Sequence, residues 1–119
     1  MKIKSFLAKP FANYIYKQLQ KGMQTAVQDQ EQVFQQLIKT ARITEFGKEH
    51  QFSGIKNHKD FIVSVPIRDY EQFRPYIEKI KNGKHNVLWK GQPIYFAKTS
   101  GTTSGIKYIP ITKDSIPNH

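Results

Sequence analysis

The chain contains no cysteine and no long apolar run, and each absence excludes a class of protein. Without cysteine, its 119 residues can form neither a disulfide framework nor a thiolate metal site, and a reducing compartment is permitted. No window approaches the run of about 20 apolar residues that a membrane helix needs. The first apolar run covers only residues 6–8, which is too short for the core of a secretory signal. We therefore expect a cytoplasmic protein with no membrane partner.

Acidic residues are scarce, and the resulting positive charge is uneven. Nine Asp and Glu stand against 19 Lys and Arg, which gives a net charge of +10. The charge is +4 over residues 1–40 (six basic, two acidic), +1 over 41–80 (seven, six) and +5 over 81–119 (six, one). The last third would therefore attract polyphosphate ligands, nucleic acid or an acidic partner surface.

The histidines and acidic residues do not form a metal-site pattern. No two histidines have the i,i+4 spacing of a helical metal site, so we interpret them as ordinary surface or turn residues: His50, His58, His85 and His119. Six of the nine acids fall within residues 45–78, at positions typical of helices. No metal ligands can be assigned.

The first half of the chain has helical periodicity. Apolar residues recur at helical spacing over residues 5–21, which predicts a helix that ends near Gly22. A second apolar stripe predicts another helix from Thr25 to about Arg42, and Thr25 with Gln28 resembles a capping box. Gly47 and Gly54 then indicate a loop.

Two shorter helices are predicted next. Asn57 is a candidate cap for a helical turn through Phe61 and Ile62 that ends before Pro66. Asp69 is the next candidate cap, with Gln72 three residues later, for a helix that ends at Asn82–Gly83.

Pro75 conflicts with a regular second helix. Proline costs about 3 kcal/mol inside a helix, so either residues 70–74 form a separate turn or the helix is kinked at Pro75. The aromatic residues of this region are predicted to pack in the core or between layers: Phe61, Tyr70, Phe73 and Tyr76.

The remaining sequence predicts two short strands. Residues 94–98 and 106–111 are rich in β-branched and aromatic residues and flank a segment of small ones. Residues 115–119 resemble the approach to another helix. The fold class is therefore α+β in a single domain, helical over residues 5–81, with a strand–loop–strand unit over 94–111.

The segment between these strands, residues 99–105, has the composition of a phosphate-binding loop. It reads T-S-G-T-T-S-G, which is five hydroxyl residues and two glycines. Glycine allows positive φ and close approach of the backbone, and successive N–H groups in such turns form an anion-binding concavity. The alternative is a flexible turn between two strands.

Spacing excludes two familiar motifs for this segment. A Walker P-loop needs four residues between its glycines and Lys directly after the second, whereas three residues separate Gly101 from Gly105 and Lys107 follows two later. A nucleophile elbow needs Ser midway between glycines and a helix afterwards, but Thr103 occupies that position and a strand follows.

The loop and its context resemble the adenylate-forming enzymes, which include firefly luciferase and the acyl-CoA synthetases. The similarity is greater to one branch, the auxin-responsive acyl-acid amido synthetases, which conjugate plant hormones and have many bacterial relatives. It extends from about residue 26 to the end of the chain. The matching residues come in the family's order: Thr44, Phe46–Lys48, Phe52, Asp60–Phe61, Val65–Ile67, Tyr70, Pro75–Ile77, Gly83 and Lys107–Pro110.

This resemblance implies an ATP- and Mg²⁺-dependent ligase. In the family, a carboxylic acid attacks the α-phosphate of ATP to give an acyl-adenylate and pyrophosphate, and an amine, typically of an amino acid, then attacks the activated carbonyl. Such chemistry depends on positioning and charge stabilisation. The residues that would bind ATP phosphates are Thr99, Ser100, Gly101, Thr102, Thr103, Ser104, Gly105 and Lys107. The family's lysine comes one position later, which leaves Lys107 either a phosphate-binding or a structural role.

Family members are several-fold longer than this chain. The resemblance therefore implies an N-terminal fragment of a bacterial-type member, inert alone, in which 1–119 is the first portion of a larger α/β ATP-binding domain. The adenine, acyl and Mg²⁺ sites would lie outside it. The alternative is a small basic module that binds nucleic acid or an acidic partner through residues 81–119.

Overall fold

The computed structural model describes residues 2–100 and 105–118, with side chains from residue 8 onward. Four helices and two strands follow one another: α1 Lys2–Ala41, α2 Glu45–Glu49, α3 His58–Ser64, α4 Tyr70–Lys81, β1 Tyr95–Thr99 and β2 Lys107–Ile111. Single 3₁₀ turns lie at Phe52–Gly54 and Ile116–Asn118. This content confirms the α+β class for the chain. No helix in the described ranges is long and apolar enough to cross a membrane.

The chain divides within α1 into two compact units, one up to Phe34 and the other from Gln35. In the first unit, α1 is continuous through Gly22, so the predicted break there is wrong. A single glycine costs only about 1 kcal/mol in a helix, which is too little to end one whose helix-forming sequence continues. Thr25 is therefore not a cap; its hydroxyl oxygen lies 3.2 Å from the carbonyl oxygen of Lys21.

The second unit begins with the end of α1 and a tight connection to α2. Thr44 is fully buried and caps α2: its hydroxyl donates to the carbonyl of Ala41 at 2.6 Å and accepts from the N–H of Gly47 at 3.0 Å. Gly47 was predicted to mark a loop, but it lies inside α2. A Cβ added there would stand 2.1 Å from the carbonyl oxygen of Ala41, so the glycine allows the two backbones to approach.

The predicted caps of α3 and α4 are confirmed. The Asn57 side chain accepts from the N–H of Asp60 at 3.1 Å. Asp69 and Gln72 form a complete capping box, with the Asp69 carboxylate accepting from the Gln72 N–H at 3.0 Å and the Gln72 side chain accepting from the Asp69 N–H at 2.9 Å. α4 continues through Pro75, so residues 70–74 are not a separate turn.

The hydrophobic core of the second unit lies between these helices and the sheet. Its buried apolar residues are Ile38, Ala41, Phe46, Phe52, Ile55, Ile77, Ile80, Val87 and Ile111. Val87 is the most buried of them, and its carbonyl accepts from the N–H of Phe46 at 3.0 Å. The segment before β1 therefore satisfies the free N–H groups at the start of α2.

Aromatic residues surround Phe46, as their predicted packing role requires. The ring centroid of Phe46 lies 5.8 Å from that of Phe73 and 5.5 Å from that of Tyr76. His50 stacks on Phe46 at 4.1 Å and lies in the turn that ends α2, so it is a turn residue as predicted, but it is buried and not at the surface. Its Nδ1 lies 2.8 Å from the Phe46 carbonyl oxygen, a bond that sequence spacing does not reveal.

The two predicted strands are confirmed as β1 and β2, and they form an antiparallel pair. The register places Tyr95 opposite Ile111 and Thr99 opposite Lys107. A further bond from the N–H of Ile94 to the carbonyl of Ile111, at 2.8 Å, extends the ladder. The predicted approach to a helix after residue 115 ends as the 3₁₀ turn at Ile116–Asn118.

Candidate functional site

The strand register determines the base of the hydroxyl- and glycine-rich loop. Thr99 is the last residue of β1 and pairs with Lys107, the first residue of β2. The connecting segment is therefore residues 100–106, and Thr99 and Lys107 lie side by side where it leaves and rejoins the sheet. Both are half-buried, whereas Ser100 is exposed. Four of the predicted phosphate ligands lie outside the described residues: Gly101, Thr102, Thr103 and Ser104.

Gly105 has the backbone conformation that the sequence predicted for a glycine of this loop. Its φ is +77°, in the left-handed region that side chains disfavour. No neighbouring atom would obstruct a Cβ at this position, so the requirement for glycine is conformational. Gly105 thus has a conformation that favours glycine two residues before β2 begins.

Tyr70, at the start of α4, holds the first part of β2. Its hydroxyl oxygen accepts a hydrogen bond from the N–H of Tyr108 at 2.8 Å and lies 3.4 Å from the carbonyl oxygen of the same residue. Tyr70 follows the capping residue Asp69, so the capping box determines where its side chain leaves the helix. A rigid helix start therefore supports the strand that closes the loop.

Cationic side chains gather over the two tyrosines. The Lys107 Nζ lies 5.8 Å from the ring centroid of Tyr70, and the Arg74 guanidinium carbon lies 5.4 Å from it. The Lys81 Nζ lies 4.6 Å from the ring centroid of Tyr108. Each distance is within the range of a cation–π interaction, which is worth about 0.5–1 kcal/mol at exposed sites.

These cations differ in how far carboxylates neutralise them. Arg74 makes two hydrogen bonds to Glu71, at 2.8 and 2.7 Å, and Lys81 makes an ion pair with Glu78 at 3.0 Å. Lys107 has no carboxylate within 4.0 Å among residues 8–100 and 105–118. The pKa of Glu71 is lowered chiefly by the hydrogen bond from Arg74 and to a smaller extent by the charge of Lys107. Lys107, at the loop base, is thus available to an anion.

The described residues contain no metal site. Over residues 2–100 and 105–118, no three His, Asp or Glu side chains come close enough together to hold an ion. These residues therefore do not fit a Mg²⁺ ion, and no chemical step is assigned to one here.

The positive charge of residues 81–119 is partly neutralised by carboxylates, two of which come from earlier in the chain. Among the lysines of residues 81–119, Lys81, Lys84 and Lys90 all make ion pairs, with Glu78, Glu45 and Asp114 respectively. In the described part of the chain, three of the six lysines of this region are thus paired, which leaves fewer charges for the phosphate backbone of a nucleic acid.

The contribution of Tyr70 to the loop base was missed at the level of sequence. Tyr70 matched the packing pattern of an amphipathic helix. That pattern does not predict the hydrogen bond between the Tyr70 hydroxyl and the backbone of Tyr108, which lies 38 residues later. The available signal was indirect: Asp69 and Gln72 place a polar-tipped aromatic at the first position of the helix.

Residues 15–119 match a model of the N-terminal domain of the GH3 family. Similar curated proteins include indole-3-acetic acid-amido synthetase GH3.2 of Arabidopsis thaliana, at 32% identity over 77 residues, or 64% of this chain. GH3.3 of the same plant is 29% identical over 86 residues, or 71% of this chain. A probable indole-3-acetic acid-amido synthetase GH3.2 of Oryza sativa subsp. japonica is 32% identical over 89 residues, or 73%. No solved structure matches.

The match covers a small share of each of these relatives. The aligned residues make up 14% of the length of all three proteins. The similarity therefore concerns one seventh of a GH3 protein, and it includes the strand–loop–strand unit described above.

Proposed function

The chain belongs to the GH3 family, and on that premise we propose that it supplies the ATP-phosphate-binding N-terminal part of an acyl-acid amido synthetase. The observation that carries the proposal is the base of the loop, where the register brings Thr99 beside Lys107. Lys107 has no carboxylate partner among the described residues, and Gly105 has positive φ. A cation, hydroxyl groups and a glycine with positive φ are features that suit the binding of a phosphate chain.

The proposed reaction has two steps. A carboxylate oxygen of the acid forms a bond to the α-phosphorus of ATP while the bond to the β-phosphate oxygen breaks, which releases pyrophosphate. The amine nitrogen then bonds to the acyl carbon, AMP leaves with the electrons of the C–O bond, and the nitrogen loses a proton. Any Mg²⁺ that accompanies ATP would be held by ligands outside the described residues.

The residues of this chain would act on the phosphates. Hydroxyl and backbone N–H groups of residues 99–105 would donate hydrogen bonds to phosphate oxygens, and Lys107 would stabilise the charge that develops on the departing pyrophosphate. Removing one such donor typically lowers the rate by a factor of about 10²–10³ when it acts in the transition state.

The substrates are proposed at the level of chemical class. The names of the relatives state indole-3-acetic acid as the acid that those enzymes join. For this chain we propose a carboxylic acid and an amine, typically of an amino acid, with the reaction in the cytoplasm. We also propose a bacterial-type member, on the sequence resemblance alone.

The test is pyrophosphate release by a full-length GH3 polypeptide that carries this domain. With ATP and a panel of carboxylic acids, the double change Thr102→Ala/Thr103→Ala should lower the rate by a factor of about 10² or more. The matched control, Thr25→Ala, removes a hydroxyl from α1 and should leave the rate unchanged. Release at the parental rate after the double change would remove the phosphate role from this loop.

A further inference from the structure

Tyr70 contacts two consecutive residues of β2 through two different parts of its side chain. The hydroxyl oxygen accepts the N–H of Tyr108 at 2.8 Å, and the ring lies 5.8 Å from the Lys107 Nζ. One side chain on α4 thus contacts both the backbone of the strand and the lysine ammonium.

Lys107 needs such support because its side chain is long. A lysine side chain that is held in one rotamer loses up to about 2 kcal/mol of conformational entropy, and four rotatable bonds otherwise spread its charge over several ångströms. Carboxylates hold Arg74 and Lys81 in place, but Lys107 has no carboxylate within 4.0 Å in the described part of the chain. The ring of Tyr70 is the group that takes this role.

We propose that Tyr70 is a positioning residue for phosphate binding, which acts by placing the ammonium of Lys107 at the base of the loop beside Thr99. The inference rests on the proposed function, because the anion concerned is the phosphate chain of ATP. It gives Lys107 a phosphate-binding role. It also gives Tyr70 a second role besides packing.

The experiment is a double-mutant cycle on the 119-residue chain, with inorganic tripolyphosphate as the probe. Binding is followed at about 0.15 M salt by the NMR signals of the 105–111 amides and the Lys107 ε-methylene group. Tyr70→Leu removes ring and hydroxyl, Tyr70→Phe removes only the hydroxyl, and Lys107→Met removes the charge. The matched control for net charge is Lys113→Met, an exposed lysine beyond β2.

We expect Tyr70→Leu to weaken tripolyphosphate binding about fivefold and Tyr70→Phe about twofold, since cation–π contacts and hydrogen bonds are each worth a few-fold. In the Lys107→Met background, both changes should leave the affinity unchanged, because residues that act through one another are not additive. Lys113→Met should have a smaller effect than Lys107→Met. Unchanged amide signals of Phe46 and Val87 would show that the core of each variant is intact.

Each result is decisive. If the wild type binds tripolyphosphate, the phosphate site is upheld. In that case, full additivity of the Tyr70 and Lys107 effects, or parental affinity in Tyr70→Leu, would overturn the positioning role. No response of the wild-type 105–111 signals to tripolyphosphate or to ATP would overturn the phosphate site itself, and the positioning role with it. If Tyr70→Leu does not fold, the cycle with Tyr70→Phe decides the question by the same comparison.

Discussion

Replacement of Thr44 by valine should destabilise the second unit by about 2 kcal/mol, judged from typical costs of a lost cap and a lost buried hydrogen bond. Thr44 is fully buried, and its hydroxyl makes two hydrogen bonds, to the carbonyl of Ala41 and from the N–H of Gly47. Valine has the same shape but makes neither bond. A buried hydrogen bond contributes about 0.5–1.5 kcal/mol, and loss of a helix N-cap costs about 0.5–2 kcal/mol.

The two lost bonds do not have equal consequences. The Ala41 carbonyl still accepts from the N–H of Thr44 at 2.9 Å, so it keeps a partner. The Gly47 N–H bonds only to the Thr44 hydroxyl among the described residues, so Thr44→Val would leave this N–H buried and unsatisfied. An unsatisfied buried donor costs about 1–3 kcal/mol, and this term should dominate.

Urea unfolding followed by circular dichroism, together with the fluorescence of Trp89, measures the effect. With a denaturant slope of about 1–3 kcal/mol per molar, a loss of about 2 kcal/mol lowers the midpoint by about 1 M. The matched control is Thr44→Ser, which keeps the hydroxyl and loses one methyl group, at a cost of about 1 kcal/mol. A valine variant as stable as the serine variant would refute the role assigned to the hydroxyl.

Two further predictions concern stability. Gly47→Ala should lower the free energy of unfolding by about 3 kcal/mol, because the added Cβ would meet a backbone carbonyl oxygen at 2.1 Å. Gly22→Ala should raise it by about 1 kcal/mol, because no atom lies within 4 Å of a Cβ at that helical position. Equal effects of the two substitutions in urea unfolding would contradict this prediction. Hydrogen bonds from two lysines lower the pKa of Glu45, so its contribution to stability is full above the ordinary value of 4.5 and is lost as pH falls through the lowered pKa. Glu45→Gln should therefore destabilise the protein at about pH 7 and not at about pH 2. A loss of stability that is the same at both pH values would exclude the ion pairs as its cause.

Local signals in the sequence predicted local structure well. The cap of α3 at Asn57 and the capping box at Asp69 and Gln72 are decided by residues within one helical turn. The strands around the loop follow from β-branched and aromatic residues on either side of a glycine-rich segment. The family resemblance, read from motifs in order, agrees with the match over residues 15–119.

Long-range contacts account for what the sequence did not predict. Gly47 indicated a loop, because its close approach to Ala41 exists only after α1 and α2 have met. His50 is buried because Phe46 offers both a ring and a carbonyl oxygen one turn earlier. The bond from Tyr70 to Tyr108 joins residues 38 positions apart, beyond any local pattern. The candidate site was therefore predicted as a segment, without the residues that support it.

The capping box of α4 has a consequence for how substitutions at the surface should be understood. Asp69 is exposed and remote in sequence from the loop, yet it decides where α4 begins and therefore the direction in which its neighbour Tyr70 leaves the helix. The Tyr70 hydroxyl in turn accepts a hydrogen bond from the backbone N–H of Tyr108 in β2. An exposed carboxylate of this kind influences the spacing of the loop ends from a distance, so solvent exposure alone is a poor guide to which positions in this domain can vary freely.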